Sequence, residues 1–164
     1  MAAVSLDHAL RLIIEQTYSE VLPAKFRCDE ASVMLLAIGG QESEFETRQQ
    51  VGGPARSFWQ FERGGGIRGV LTCEATKSYA RAVCQSRGIM PTVDSVYARM
   101  LDDDLLGCAF ARLLLYSDPA PLPRIGQQAA SWDYYENIWR PGHPRPEKWA
   151  RNYANALATL KGAA

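Results

Sequence analysis

Apolar positions in this chain recur at helical spacing over most of its length. Leu6, Leu10, Ile13, Ile14 and Tyr18 fall on one face of a helix that Ser5 can cap and Pro23 stops, which predicts helix to about Val21. A second helix is expected from Asp29, read as its N-cap. Val33, Leu36, Ala37 and Gly40 form one stripe there, and Met34, Leu35 and Ile38 fill the other sides. A helix apolar nearly all round belongs in the middle of a core. From 46 to 66 the pattern breaks into an irregular or weakly extended stretch, and Gly64-Gly65-Gly66 predicts a flexible exit. Helical spacing resumes at 67–72, 74–87, 93–101 and 105–116, the last preceded by Asp102, Asp103 and Asp104 where negative charge favours a helix start. A proline-rich connector, Ser117 to Pro123, then leads to helices at 124–138 and 145–161. The expected fold is all-α, or mostly helical α+β at most. It is one domain over 1–164, with a central buried helix and a short irregular or β-hairpin-like loop.

Composition narrows the function. The 18 basic and 18 acidic side chains cancel, so no overall field draws the chain to nucleic acid or to an anionic membrane. The N-terminus lacks a basic region, and Arg11 and Glu15 interrupt its apolar residues, so no signal peptide is expected. No apolar run approaches the roughly 20 residues of a membrane span. Cys28, Cys73, Cys84 and Cys108 show no close pairing, and only His8 and His143 could join them, so neither a metal site nor another cofactor is expected. Reduced, mostly buried thiols fit this pattern best.

The chemistry concentrates in Ala37 to Glu62, AIGGQESEFETRQQVGGPARSFWQFE. Glu42 lies where the central helix should end. An apolar surround there disfavours the charged carboxylate, and the negative end of the helix dipole disfavours it again. Both hold a proton near neutral pH, as a general acid requires. Glu44 and Glu46 read as solvated acids, with Glu44 the substitute if the helix runs two residues further. Glu62 is either a second acid or the ion-pair partner of Arg56 or Arg63. Phe58 and Trp59 are expected to divide between core and cleft, where a ring suits the apolar face of a sugar. Trp132, Trp139 and Trp149 read as helix-contact residues.

Glu42-Ser43-Glu44-Phe45, followed by Gly53-Pro54-Ala55-Arg56-Ser57-Phe58-Trp59-Gln60, resembles the signature of the lysozyme-like lytic transglycosylases, in a wording similar to phage or prophage versions. The resemblance covers about 25 residues. It implies a lysozyme-like fold and cleavage of the bond between N-acetylmuramic acid and N-acetylglucosamine, with Glu42 as general acid and base. Gln60 matches the family's motif glutamine and either binds substrate or satisfies the backbone of its turn; Arg56 either meets the muramyl peptide carboxylates or braces the loop by salt bridges, and Trp59 is a candidate for the ring that meets the sugar. Ser57-Phe58-Trp59 replaces the usual small residue, leucine and methionine. A weaker match at Ala129 to Tyr135 lacks the family's Asn-Ala-Gly but supplies Tyr134 and Tyr135, of which Tyr135 is preferred as the tyrosine facing the acid.

Two further readings accompany this one. A hydrolytic muramidase would activate water with a second carboxylate, and Glu62 stands near where goose-type lysozymes carry an aspartate. An inverting pair needs roughly 6.5–9.5 Å between its carboxyls. In a different class is a silent glycan-binding or virion structural module. The expected partner is the glycan strand of peptidoglycan, met by a monomer without membrane insertion. Without a signal peptide, the chain would wait in the host cytoplasm for release to the wall, or travel in a virion.

Overall fold

The computed structural model describes residues 3–164. Its axis is α2, Asp29–Ser43, in which every residue from 31 to 40 is buried. Cys28 rather than Asp29 occupies the cap position, and Asp29 and Glu30 place negative charge in the first turn, where the helix dipole favours it. α1 (6–21) opens on Ser5, whose side chain accepts the His8 amide, and it ends before Leu22, which is extended ahead of Pro23. Two stretches of α1, Ala9–Ile14 and Thr17–Val21, are wound wider than an α-helix. In the gap between them the buried Thr17 hydroxyl donates back to the Ile13 carbonyl.

The remaining helices are α3 (Arg68–Thr72), α4 (Lys77–Ser86), α5 (Val93–Arg99), α6 (Asp104–Ser117), α7 (Gln128–Trp139) and α8 (Pro146–Ala163). α6 starts on Asp103, whose carboxylate accepts the Leu106 amide and both prongs of Arg87. α8 packs along α2. Gly40 admits the Asn152 side chain, and the Asn152 amide donates to Gln41 at 2.8 Å. The protein is all-α, and among the described residues no strand forms, only the isolated bridges Gln49–Arg56 and Arg56–Phe61.

Those bridges shape the loop between α2 and α3. Gln50 and Ala55 pair about the turn at Gly52, Ser57 donates to the Arg48 carbonyl, and Arg56 exchanges both backbone bonds with Phe61. The loop is pinned to the core at several points. Trp59 Nε1 donates to the Leu35 carbonyl, the Ser43 hydroxyl to the Phe58 carbonyl, and the Arg48 guanidinium grips Asp104 at 2.6 and 2.7 Å.

Three expectations need correction. The glycines at 64–66 are not a flexible exit but part of a wide turn, Arg63–Ile67, kinked at Gly65, that leads into α3. Burial of Ile67, and the space that Gly66 leaves for the Phe61 ring, hold that turn in place. α7 begins at Gln128 rather than 124, because Gly126 adopts φ +90° and its amide donates to the Tyr153 hydroxyl. Both Phe58 and Trp59 are in the core at 0% exposure, so neither lines a cleft.

Candidate active site

α2 ends at Ser43 because Glu44 turns left-handed, φ 53°, and Phe45 follows at φ 54°. The reversal drives the Phe45 ring back against Gly39, where a side chain on the helix would overlap it, and leaves Glu42 in the last turn. Tyr135, from the middle of α7, donates its hydroxyl to Glu42 Oε1 at 2.6 Å. Burial pushes the Glu42 carboxyl up to about 7, and the Tyr135 hydrogen bond pulls the other way without prevailing. Tyr135 itself is raised far above the ordinary phenol range, by its burial and then by the Glu42 charge. It therefore stays protonated and serves Glu42 as a donor.

Aromatic rings fix that tyrosine. Its ring stacks on Trp149 of α8, with centroids 5.1 Å apart and planes 11° off parallel. Trp132 lies 5.3 Å away and Trp139 6.3 Å away. Trp149 is core, as the spacing suggested, whereas Trp132 and Trp139 are only partly buried. Trp139 also donates its indole N–H to the Trp59 carbonyl, tying α7 to the loop. The alternative acid, Glu44, is exposed and bonded to Lys148 at 3.0 Å, with Arg151 next to it. That pairing lowers its pKa and unfits it as a proton donor near neutrality.

The other expected site residues divide. Tyr134 bonds the Leu115 carbonyl and so braces α7 on α6, away from Glu42. Trp59 is fully enclosed and cannot meet a sugar. Arg56 stacks 3.9 Å from the Tyr97 ring and donates to the Tyr97 carbonyl, which makes it a brace for the loop rather than a substrate arm. Gln60, at φ 53°, donates to the Ser57 carbonyl and holds its own turn closed. It also borders a cavity of about 660 Å³ with Glu62 and Trp139. Glu62 is exposed there, and its expected partners are engaged elsewhere, Arg63 with Asp94 and Arg56 with Tyr97. Among the described residues no hydrogen bond or ion pair joins Glu62 to Glu42.

The structure thus brings together Glu42 and Tyr135, residues 93 positions apart, and leaves Glu62 outside that pair. Glu42 does not line the cavities of about 600, 660 and 330 Å³ described here. Sequence reasoning missed Trp149 as the ring behind Tyr135 and Asn152 as the residue holding Gln41. The signal was present in α8, where Trp149, Asn152, Tyr153 and Ala156 form one stripe with a single polar member. A polar residue on an apolar stripe needs a partner.

Comparison with protein-family models, with curated proteins and with solved structures gave no match for this chain. A carboxyl that changes charge near pH 7, with a neutral donor steadying its ionised form, can give a proton in one step and take one in the next.

Proposed function

We propose that this protein is a lysozyme-like lytic transglycosylase of phage type that cleaves the β-1,4 bond between N-acetylmuramic acid and N-acetylglucosamine in peptidoglycan. The observation that carries the reading is Glu42, alone at the end of the buried helix, pushed up to about 7 and held by Tyr135. Glu42 gives its proton to the glycosidic oxygen as the bond from C1 to that oxygen breaks, and N-acetylglucosamine leaves with a free 4-hydroxyl. Positive charge develops at C1 in an oxocarbenium-like state. The Glu42 carboxylate, steadied by the Tyr135 hydroxyl, next takes the proton of the muramic acid 6-hydroxyl while that oxygen bonds to C1. The product is a 1,6-anhydro end, and Glu42 is again protonated. No second carboxylate enters this sequence of steps.

A hydrolytic muramidase is the second reading, favoured by one observation: Glu62 is exposed on the cavity that Gln60 and Trp139 also border. Mass spectrometry of muropeptides released from purified peptidoglycan separates the two. Anhydro ends made by the wild type and missing with Glu42→Gln are the expected result. Reducing ends would replace that mechanism by hydrolysis and direct attention to Glu62→Gln. No product from the folded wild type would sink both and leave a glycan-binding or virion structural module.

A further inference from the structure

Arg112 is 5% exposed, on the face of α6 turned to the N-terminal end of α2. Its Nε donates to the Phe26 carbonyl at 2.8 Å, and its guanidinium lies 5.3 Å from the Phe26 ring. Arg48 and Arg87 each hold a carboxylate with two prongs. Arg112 has no carboxylate within 4.0 Å among the described residues. Its terminal nitrogens are not sealed in either, since among the described residues the one buried side-chain nitrogen without a partner is Arg56 Nε. They open instead on a cavity of about 600 Å³. A buried cation without a counter-charge costs stability, and a guanidinium fork matches a carboxylate.

The rest of the lining sets what kind of anion fits. Leu115, Leu122 and the ring of Tyr134 supply apolar walls, and the proline-bearing connector makes one side stiff. Glu30 and Asp118 also border the space. Two carboxylates would repel a doubly charged phosphate, but they attract a positive group carried next to a single carboxylate. The volume suits a small molecule of amino-acid to dipeptide size. Glu30 and Glu42 lie twelve positions apart on α2, roughly 18 Å along the helix, so this cavity is separate from the Glu42 pair.

We propose that the cavity binds a small zwitterion, an amino acid or dipeptide, with its carboxylate on Arg112 and its ammonium group toward Glu30 and Asp118. The test is an NMR titration of the full chain with alanylalanine, its C-terminal amide, its N-acetyl form and inorganic phosphate. Alanylalanine should shift the methyl signals of Leu115 and Leu122 saturably. The amide, which lacks the carboxylate, should bind about tenfold or more weakly. Arg112→Lys should weaken alanylalanine in the same way. Because that variant risks the fold, Asp118→Asn provides a second measure: it should weaken alanylalanine but leave the N-acetyl form unchanged. The proposal is overturned by no saturable shift with alanylalanine, by equal binding of the amide, or by phosphate binding more tightly.

Discussion

Glu42 has two opposing influences on its proton, and their signs can be tested apart. Burial raises its pKa, while the bond from Tyr135 lowers it. Tyr135→Phe removes the second and keeps the ring on Trp149, so the Glu42 carboxyl should titrate still higher. Under the proposed function, cleavage that needs the protonated acid should fall as pH rises through about 7 in the wild type. In Tyr135→Phe that falling limb should move to higher pH while the peak rate drops, as a profile of initial rate against pH would show. A limb that stays in place would make Tyr135 a packing residue. The same carboxyl weakens the fold. Below its ordinary value of 4.5 it is protonated whether the chain is folded or not, and its contribution to stability is then fully kept. As pH rises to about 7 the unfolded chain ionises first, and that contribution is lost. Glu42→Gln, neutral throughout, should therefore be more stable than the wild type above about pH 7, by roughly 3 kcal/mol, and melt at a higher temperature there. The difference should vanish in melting curves taken below pH 4.5.

At the scale of the element, the end of α2 depends on two consecutive left-handed residues that are not glycine, Glu44 and Phe45. Such backbone is sterically costly, and the burial of Phe45 at 1% exposure holds it. Gly39 is the space the ring occupies. Gly39→Ala gains about 1 kcal/mol of helix propensity, but the clash with a ring that cannot retreat outweighs it. A net loss of about 2 kcal/mol is expected in the urea midpoint, with the Glu42 to Tyr135 bond disturbed in the same variant. Phe45→Leu should recover part of it in the double variant. Helices were the part most legible in the sequence, because apolar periodicity survives without knowledge of partners. α2 matches its expectation within a residue at its start, and α6 within a residue at each end. The loop was less legible. Its order comes from Trp59 reaching Leu35 and Arg48 reaching Asp104, bonds between distant positions that no local pattern announces. For the same reason the two aromatics Phe58 and Trp59 could not be assigned to core or cleft from their neighbours alone. The position of Glu42 in the last turn of α2 was legible because the end of an apolar helix is a local signal. The roles of Arg56 and Tyr134 were set by tertiary partners instead, the Tyr97 and Leu115 carbonyls.

For the whole molecule, a net charge of zero conceals an uneven arrangement. Lys148 and Arg151 stand over Glu44 at the edge of the Glu42 surface, while Glu30 and Asp118 border the Arg112 cavity. α2 joins these two places through the core, and every residue from 31 to 40 is buried. Amide hydrogens along that stretch should exchange for deuterium only when the domain opens globally, whereas those of the exposed segment at 142–145 should exchange through small local fluctuations. Glu42 is thus mounted on the helix whose buried stretch should be among the last to open. On gradual heating, the loss of catalysis should coincide with the loss of helical circular dichroism, with no interval in which a folded but inactive chain accumulates. The durability of the acid is then the durability of the domain itself.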